Sequence, residues 1–330
     1  MRQTGCKQMT GLLAALIALW AVANPARAAE PITWRHGLIE AKSDAGILLM
    51  VTRHDFAAKQ GLKLEITQFK SDIQELQALL AGELDSIEGG VGGTISAASH
   101  GTEPRILGCH WPILPHGIFT KNSVGAFVDL KGKTFAISSP GAMPDLMVHA
   151  MLAKYNIAPG DVRFANLGSD LDRYKALSAG VVDAAVVSGE YVPIAQKEGI
   201  KLLIAGHDAL PDFIRLCMVT TAKTVADKHD SAVAFITAEM NALHYALAHK
   251  DETVALTREL TDGKPDDPRP GYIFDLAKGG EVDPLLSLPM DKLDWMQQQM
   301  ISSGSLPKSI DMTKYVTPDI RAAALARADK

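Results

Sequence analysis

The order of hydrophobic and polar positions along this chain predicts an α/β fold. Residues 62–69 (LKLEITQF) alternate apolar and polar side chains, which is typical of a half-buried strand. Residues 73–81 carry apolar side chains at helical spacing, and a longer helix is predicted over residues 47–60. Between residues 32 and 110 the predicted order is β-α-β-α-β-α-β, which indicates a mostly parallel sheet with helices on both faces.

One segment of this pattern occurs twice. Residues 78–85 read ALLAGELD and residues 176–183 read ALSAGVVD, so both fit Ala-Leu-x-Ala-Gly-x-x-Asp. Each copy predicts a helix that ends at a glycine in the left-handed conformation, Gly82 or Gly180, before a strand. Ligands of open α/β sheets bind at the loops after such strands, so the repeat predicts two similar lobes. A chance similarity between two ordinary α/β units is the alternative.

The first 28 residues have the pattern of a cleavable secretory signal. Two basic residues precede an apolar run at residues 11–23, and Ala26-Arg27-Ala28 is a small-x-small cleavage site. The run has about 13 residues, fewer than the roughly 20 that a helix needs to span a bilayer. We therefore expect a periplasmic protein whose mature chain begins at Ala29, with an uncleaved anchor as the alternative.

Two irregular links indicate how the lobes are connected. They lie near residues 111–117 and 207–213, on either side of a second strand–helix series, and the chain is mostly helical after residue 225. Two lobes joined by two crossings form a hinge with a cleft that closes around a ligand. We expect a signal peptide at residues 1–28, the first part of lobe 1 at 29–114, lobe 2 at 115–212, and the return of lobe 1 with the C-terminal helices at 213–330.

Charge and cysteine content exclude several classes of partner. The chain has 33 basic and 38 acidic residues, and removal of residues 1–28 takes away three basic ones, which leaves a formal charge of −8. An acidic chain without a basic run argues against nucleic acid or an anionic membrane as a partner. Cys109 and Cys217 lie in apolar runs and either form a disulfide or remain buried thiols. No cysteine pair has metal-ligand spacing, and we expect neither metal nor cofactor.

Several motifs, in this order, resemble the periplasmic substrate-binding proteins of ABC importers, of the nitrate, sulfonate, taurine and thiamine-pyrimidine type. They are FAAKQGL at residues 56–62, both repeat copies, DLKGK at 129–133 and MDKLDWMQQQMISSGSLP at 290–307. The resemblance covers essentially the whole mature chain. It implies a two-lobed type II binding-protein fold with a ligand cleft at the hinge. It also implies a small-molecule solute and delivery to an ABC permease with its ATPase, and we expect a monomer.

Loops at strand ends carry the candidate ligand-binding residues. Glycines let backbone N–H groups approach a ligand, and the start of a helix attracts an anion. Both features favour a ligand at the glycine-rich loop before the helix that is predicted to begin at residue 94. Hydroxyls and amides at residues 138–142 suit a carboxylate, a sulfonate or a neutral polar group. An ordinary turn or cap is the alternative for each loop. The candidates are Lys42 and Ser43; Gly90, Gly92, Gly93 and Thr94; Ser138, Ser139 and Gly141; and Gly189, Glu190 and Tyr191.

These residues favour a solute receptor over an enzyme. The chain has none of the common serine-hydrolase or zinc-protease motifs, and it lacks the cysteine-rich segment of the eukaryotic thiamine-pyrimidine synthases that it resembles. The donors in the loops favour a small organic anion, a carboxylate or a sulfonate. Arg173 lies on a predicted helix and is expected to face solvent. The alternatives are an aromatic or pyrimidine-type solute, with Tyr191 stacking on it, and service to a TRAP-type carrier or a sensor kinase.

Overall fold

The strands of this protein form two sheets of five strands each, as expected for a two-lobed α/β fold. The computed structural model describes Met1, residues 30–70 and residues 72–329, so the predicted signal peptide, apart from Met1, lies outside the described residues. In chain order the strands are β1 (Ile32–Ile39), β2 (Leu62–Phe69), β3 (Ser86–Gly89), β4 (Pro104–Trp111), β5 (His116–Lys121), β6 (Thr134–Ile137), β7 (Arg163–Asn166), β8 (Ala184–Ser188), β9 (Ile200–Ala205) and β10 (Leu216–Thr221).

Each sheet is mostly parallel and contains one strand of opposite direction. The first sheet has the order β2-β1-β3-β10-β4, in which β10 is antiparallel to both neighbours. The second has the order β7-β6-β8-β5-β9, in which β5 is antiparallel to both neighbours. We call the first sheet with its helices lobe 1 and the second lobe 2. The strands of lobe 2 lie within the predicted range 115–212, and the lobe boundaries themselves stay a prediction.

Helices cover the sheets, and α9 is the longest in the described residues, with a kink at Lys228. Among the helices of residues 30–70 and 72–329, none has the length and apolar character of a membrane-spanning helix. The helices are α1 (Ala45–Leu48), α2 (Phe56–Lys59), α3 (Asp72–Leu80), α4 (Val91–Ser99), α5 (Met143–Lys154), α6 (Asp170–Ser178), α7 (Val192–Ala195), α8 (Gly206–Ala209), α9 (Ala222–Ala248), α10 (Lys250–Leu260), α11 (Arg269–Leu276), α12 (Met290–Ser302) and α13 (Pro318–Arg327).

The continuous helix predicted over residues 47–60 is wrong. The structure has α1, a 3-10 turn at Met50–Thr52, and α2 in its place. His54 and Asp55 lie between the turn and α2 with φ of 51° and 57°, a conformation that interrupts the helical hydrogen bonds. The apolar spacing could not reveal this break, because Val51 before it and Phe56 after it are both buried in one cluster.

The two repeat copies occupy the same position in their lobes. One copy joins α3 to β3 and the other joins α6 to β8, and Gly82 and Gly180 have the predicted positive φ, 80° and 74°. The final aspartate of the motif also has one role in both copies. Asp85 Oδ2 accepts a hydrogen bond of 2.9 Å from the backbone N–H of Arg35 in β1, and Asp183 Oδ2 accepts one of 2.9 Å from Thr134 in β6. The repeat thus fixes a helix end and attaches the segment after it to the neighbouring strand.

Cys109 and Cys217 form a disulfide, which is one of the two states that the sequence left open. Cys109 lies in β4 and Cys217 in β10, which are neighbours in the sheet of lobe 1. The two cysteines are 108 residues apart, and the whole of lobe 2 lies between them. The bond therefore joins the two strands from which the chain crosses into lobe 2 and returns.

We expect the double variant Cys109→Ala/Cys217→Ala to lose about 2–5 kcal/mol of unfolding free energy, because the disulfide closes a long loop and restricts the unfolded chain. Urea unfolding of the mature protein, followed by circular dichroism, measures the loss. Dithiothreitol should destabilise the wild type by a similar amount and leave the double variant unchanged. Equal midpoints for the oxidised wild type and the double variant would contradict the prediction.

Candidate functional site

The loops after β1, β3, β6 and β8 lie where the two lobes face each other, and we call this region the interlobe cleft. Lys42, which follows β1, places its Nζ 2.5 Å from Asp170 Oδ2 at the start of α6 in lobe 2. Ser43 donates a side-chain hydrogen bond to the carboxylate of Glu190, which follows β8. Polar side chains of both lobes therefore meet at the strand ends, where ligands of α/β sheets bind.

Asp170 is the centre of the polar contacts on lobe 2. Its Oδ1 accepts hydrogen bonds from Arg173 Nη2 at 2.5 Å and from the backbone N–H of Ser188 at 3.2 Å. His116 Nε2 lies 3.6 Å from the same oxygen. Burial alone would raise the pKa of Asp170, but Lys42 and Arg173 hold it far below its ordinary range. Asp170 is therefore ionised and fixed in position.

Arg173 corrects an expectation from the sequence, because its side chain is buried rather than solvated. Its Nε donates to the backbone oxygen of Val186 in β8 at 2.6 Å, and its guanidinium also binds Asp170. Comparison of the repeat copies could have found it. Arg173 lies 98 residues after Glu75, and the repeat is offset by the same 98 residues. Both positions are buried against the strand that follows their helix.

A second ion pair lies on the lobe 1 side of the cleft. Arg215 Nη2 lies 2.5 Å from Asp44 Oδ2, and its guanidinium lies over the ring of Trp111 at 4.2 Å. Burial alone would raise the pKa of Asp44, but Arg215 holds it below its ordinary value. Because Asp44 follows Ser43 and Arg215 precedes β10, this pair attaches the β1 loop to the hinge.

Glu190 is a buried acid on the lobe 2 side of the cleft. Its side chain is only 4% exposed, and burial, then the negative charges of Asp170 and Asp44, raise its pKa to about 7. Arg269 Nη1 is 4.0 Å from Glu190 Oε1, but the same guanidinium binds both oxygens of Asp267 at 2.7–3.0 Å. Glu190 is therefore compensated by the charge of Lys42, by the Ser43 hydroxyl and by a distant guanidinium that Asp267 shares.

The other predicted residues of the β8 loop are packed inside lobe 2. The backbone N–H of Gly189 donates to Pro115 O at 2.8 Å, and a Cβ at Gly189 would lie 2.7 Å from that oxygen. Tyr191 is buried and stacks on Tyr174 with ring centroids 4.4 Å apart. The structure thus shows core packing for Tyr191, and its stacking on a solute stays a prediction.

The glycine-rich segment after β3 is not the loop that the sequence indicated. Helix α4 begins at Val91, so Gly92 and Gly93 lie in its first turn and only Gly90 precedes it. A Cβ at Gly92 would lie 3.0 Å from Leu146 Cδ1 of lobe 2, so this glycine permits close approach of the lobes. Thr94 is buried and donates its hydroxyl to Gly90 O at 3.4 Å. Tertiary packing outweighs the low helix propensity of glycine here.

The serine-containing loop after β6 leads directly into α5, which begins at Met143. Gly141 has φ of 77°, and its N–H donates to Asp145 Oδ2 at 2.7 Å. Ser138 and Ser139 are half-buried and accept backbone hydrogen bonds through their carbonyls. Gly141 and Asp145 line a cavity of about 360 Å³ that also contacts the loop after α12, Ser303 to Ser305.

A further acid is buried beside the cleft in lobe 1. Neither carboxyl oxygen of Glu75 has a side-chain hydrogen-bond partner among the described residues, and the group is fully buried. Burial, then the charges of Asp72 and Glu88, raise its pKa to about 9, so Glu75 is protonated at neutral pH. Within the described residues, no three or more His, Cys, Asp or Glu side chains are arranged to hold a metal ion.

Comparison with known families and proteins gives consistent results. Residues 43–253 match the family model described as NMT1/THI5 like. The chain is 26% identical over 204 residues to YtlA of Bacillus subtilis (strain 168), which is provisionally described as a binding protein. The match covers 58% of this chain and spans 58% of the length of that curated relative.

Solved structures show the same two-lobed fold. The aliphatic sulphonate binding protein SsuA of Escherichia coli superposes with a TM-score of 0.72 at 17% identity, covering 87% of this chain and 92% of its own. The nitrate-binding protein NrtA of Synechocystis PCC 6803 superposes with a TM-score of 0.73 at 18% identity, covering 90% of this chain and 89% of its own. Both are periplasmic proteins by name, and the expected fold class is confirmed.

Removal of the cross-lobe ion pair should open the cleft. We expect Lys42→Met to raise the ratio of open to closed molecules in the solute-free protein by up to about fivefold. The reason is that a half-exposed ion pair contributes at most about 1 kcal/mol. Arg173 still binds Asp170 in this variant. Small-angle X-ray scattering should show a larger radius of gyration. Lys63→Met, which removes the exposed pair with Glu65 within lobe 1, is the matched control. Equal radii for Lys42→Met and the wild type would contradict the prediction.

Stability should fall as pH rises, in part through Glu75. The pKa of Glu75 is raised in the folded protein. Its contribution to the free energy of unfolding is therefore complete below about pH 4.5 and is lost as pH rises through about 9. We expect Glu75→Gln to reduce the fall of the unfolding free energy between pH 5 and 9, because glutamine stays neutral. Urea unfolding at pH 5, 7 and 9 measures the slope. Glu83→Gln, at an exposed glutamate after the same helix, is the control. Parallel curves for Glu75→Gln and the wild type would show that Glu75 does not titrate in this way.

Proposed function

The chain belongs to the NMT1/THI5-like family, and from this premise we propose that it is an extracytoplasmic receptor for a small organic solute. The observation that carries the proposal is the cross-lobe contact of Lys42 with Asp170, which brings the strand ends of two lobes onto one site. Side chains from both lobes can then enclose one ligand. The receptor captures its solute and has no catalytic step.

The mechanism that we propose is closure of the lobes around the solute. The chain crosses between the lobes twice, after β4 and before β10, and the Cys109–Cys217 disulfide fixes these two strands together. Each lobe can therefore rotate as a rigid body about the two segments that connect the lobes. A solute that binds both lobes favours the closed form by its difference in affinity for the closed and open forms. Closure is the signal that the transporter reads.

We propose that the solute carries an acidic group, a carboxylate or a sulfonate. The N-terminus of α4 lies at the cleft, and its cap residue, Gly90, has no side chain with which to cap it. The first backbone N–H groups and the positive end of the helix suit an anion. The starts of α5 and α6 are different, because Asp145 and Ser169 already accept hydrogen bonds from backbone N–H groups there. Lys42 on the β1 loop adds a positive charge to the same cleft.

We propose that the receptor delivers its solute to an ABC permease and its ATPase. The names of the similar solved proteins support it, since SsuA and NrtA are described as periplasmic binding proteins for sulphonate and nitrate. The predicted signal peptide at residues 1–28 supports export. We propose that the receptor acts as a monomer, because one chain supplies both walls of the cleft.

A thermal-shift screen of the mature protein tests the proposed function. We expect carboxylates or sulfonates to raise the melting temperature by several degrees, since a ligand at a hundred times its Kd adds about 2.7 kcal/mol. Nitrate, pyrimidines and flavins complete the panel, and Lys42→Met should reduce the shift. Native mass spectrometry first establishes that the protein is free of solute. A shift for pyrimidines alone would overturn the proposed ligand class, and no shift in solute-free folded protein would overturn the receptor function.

A further inference from the structure

The tail motif at residues 290–307 begins with α12, a helix that takes no part in the proposed contacts with a solute. It packs against α4 of lobe 1 and against α5 of lobe 2. Leu293 and Met296 of α12 belong to the same hydrophobic cluster as Ile95 of α4 and Leu146 of α5. A single helix therefore contacts both lobes, and it can act on the movement of one lobe relative to the other.

The first turn of α12 carries a lysine that contacts both connections between the lobes, residues 112–115 after β4 and residues 210–215 before β10. Lys292 Nζ donates to Pro112 O at 2.9 Å and to Pro211 O at 2.6 Å. An ammonium has three N–H donors and no acceptor, so one lysine can bind both carbonyls at once. The two connections, which are distant in sequence, are thus joined through one side chain.

Local preference does not account for a lysine in this turn. The start of a helix carries a partial positive charge, which opposes a cation there. Burial also lowers the pKa of Lys292 below its ordinary value, and the negative charge of Asp212 in the second connection opposes this effect. The ammonium therefore depends for its stabilisation on the two carbonyls and on Asp212, all of which belong to the connections.

The chain before α12 is attached to lobe 1. The backbone N–H of Asp283 donates to His110 O at 2.8 Å, and Ser287 O accepts a hydrogen bond of 2.8 Å from the N–H of Cys109. His110 and Cys109 lie in β4, the strand that leads into the first connection. Because Lys292 follows soon after these contacts, we expect its ammonium to move with lobe 1.

Contacts with lobe 2 begin a few residues beyond the two prolines. In the first connection, Pro115 O accepts a hydrogen bond of 2.8 Å from the N–H of Gly189 in the β8 loop. The second connection leaves lobe 2 at Ala209, the last residue of α8. Residues 113–114 and Leu210 lie between these points and the prolines that the lysine holds. A hinge commonly consists of a few such residues, which absorb the change in backbone angles.

We propose that Lys292 is a positioning residue of the hinge, which holds both connections to lobe 1 at their prolines and confines rotation to residues 113–114 and Leu210. The inference deepens the proposed function, because it rests on closure of the lobes and concerns the regulation of that movement. While both hydrogen bonds are made, the connections bend together and the lobes keep the closed arrangement. Without them, each connection bends separately and over a greater length, which favours separation of the lobes.

Small-angle X-ray scattering of the mature protein, shown to be free of solute by native mass spectrometry, tests this inference. Lys292→Met keeps the apolar stem and removes the donors. It should raise the ratio of open to closed molecules about three- to tenfold, because hydrogen bonds from a charged, partly exposed donor contribute on this order. The radius of gyration should increase accordingly. Lys121→Met is the matched control, because Lys121 Nζ donates to Ser178 O at 2.7 Å within lobe 2.

Two further measurements separate a role in the hinge from a general structural role. Hydrogen–deuterium exchange of Lys292→Met should increase in the two connections and stay unchanged in the strands of both sheets. Lys292→Arg, which keeps a cation with several donors, should retain the radius of gyration of the wild type.

Three results would overturn the inference. They are equal radii for Lys292→Met and the wild type, exchange that increases throughout lobe 1, and a radius for Lys292→Arg as large as that for Lys292→Met. The proposed function is tested separately, because these experiments use no solute. If Lys292→Met opens the lobes but the wild type binds no solute, the role in the hinge stands and the receptor function does not.

Discussion

The arrangement of the cleft depends on one buried carboxylate, Asp170. It binds Lys42 from lobe 1, Arg173 from its own helix and the backbone of Ser188, so it connects three segments that are distant in sequence. A carboxylate at this depth is stable only because these donors surround it. Its loss would leave Arg173 buried without its carboxylate partner and the lobes without the contact that Lys42 makes. The position of the β8 loop, and with it Glu190, follows from this interaction.

The local elements were predictable because each depends on a residue type that few others can replace. Gly82 and Gly180 adopt positive φ at the ends of α3 and α6, and glycine is the residue with the lowest cost in that conformation. The strand predicted over residues 62–69 from its alternating pattern has the same first and last residues in the structure. The repeat also predicted that two similar lobes present strand ends, since the order of helix, glycine and strand is encoded within about fifteen neighbouring residues.

The pairing across the cleft was not predictable, since it depends on how the lobes are placed. Arg215 and Asp44 lie 171 residues apart, and no local pattern favours this pair over others. Gly92 and Gly93 were assigned to a loop because their propensity opposes a helix, yet Leu146 of the other lobe packs against that helix. The state of the cysteines was open for a similar reason. Cys109 and Cys217 become neighbours only when β10 enters the sheet beside β4.

The place of β10 also sets the order in which the protein can assemble. β10 is the strand between β3 and β4, but about a hundred residues of lobe 2 are synthesised between β4 and β10. At about 5–20 residues per second, the facing edges of β3 and β4 stay unpaired for roughly 5–20 s. During that interval lobe 2 can complete its sheet, while lobe 1 cannot. The first sheet therefore cannot close until the chain is available as far as Thr221, the last residue of β10.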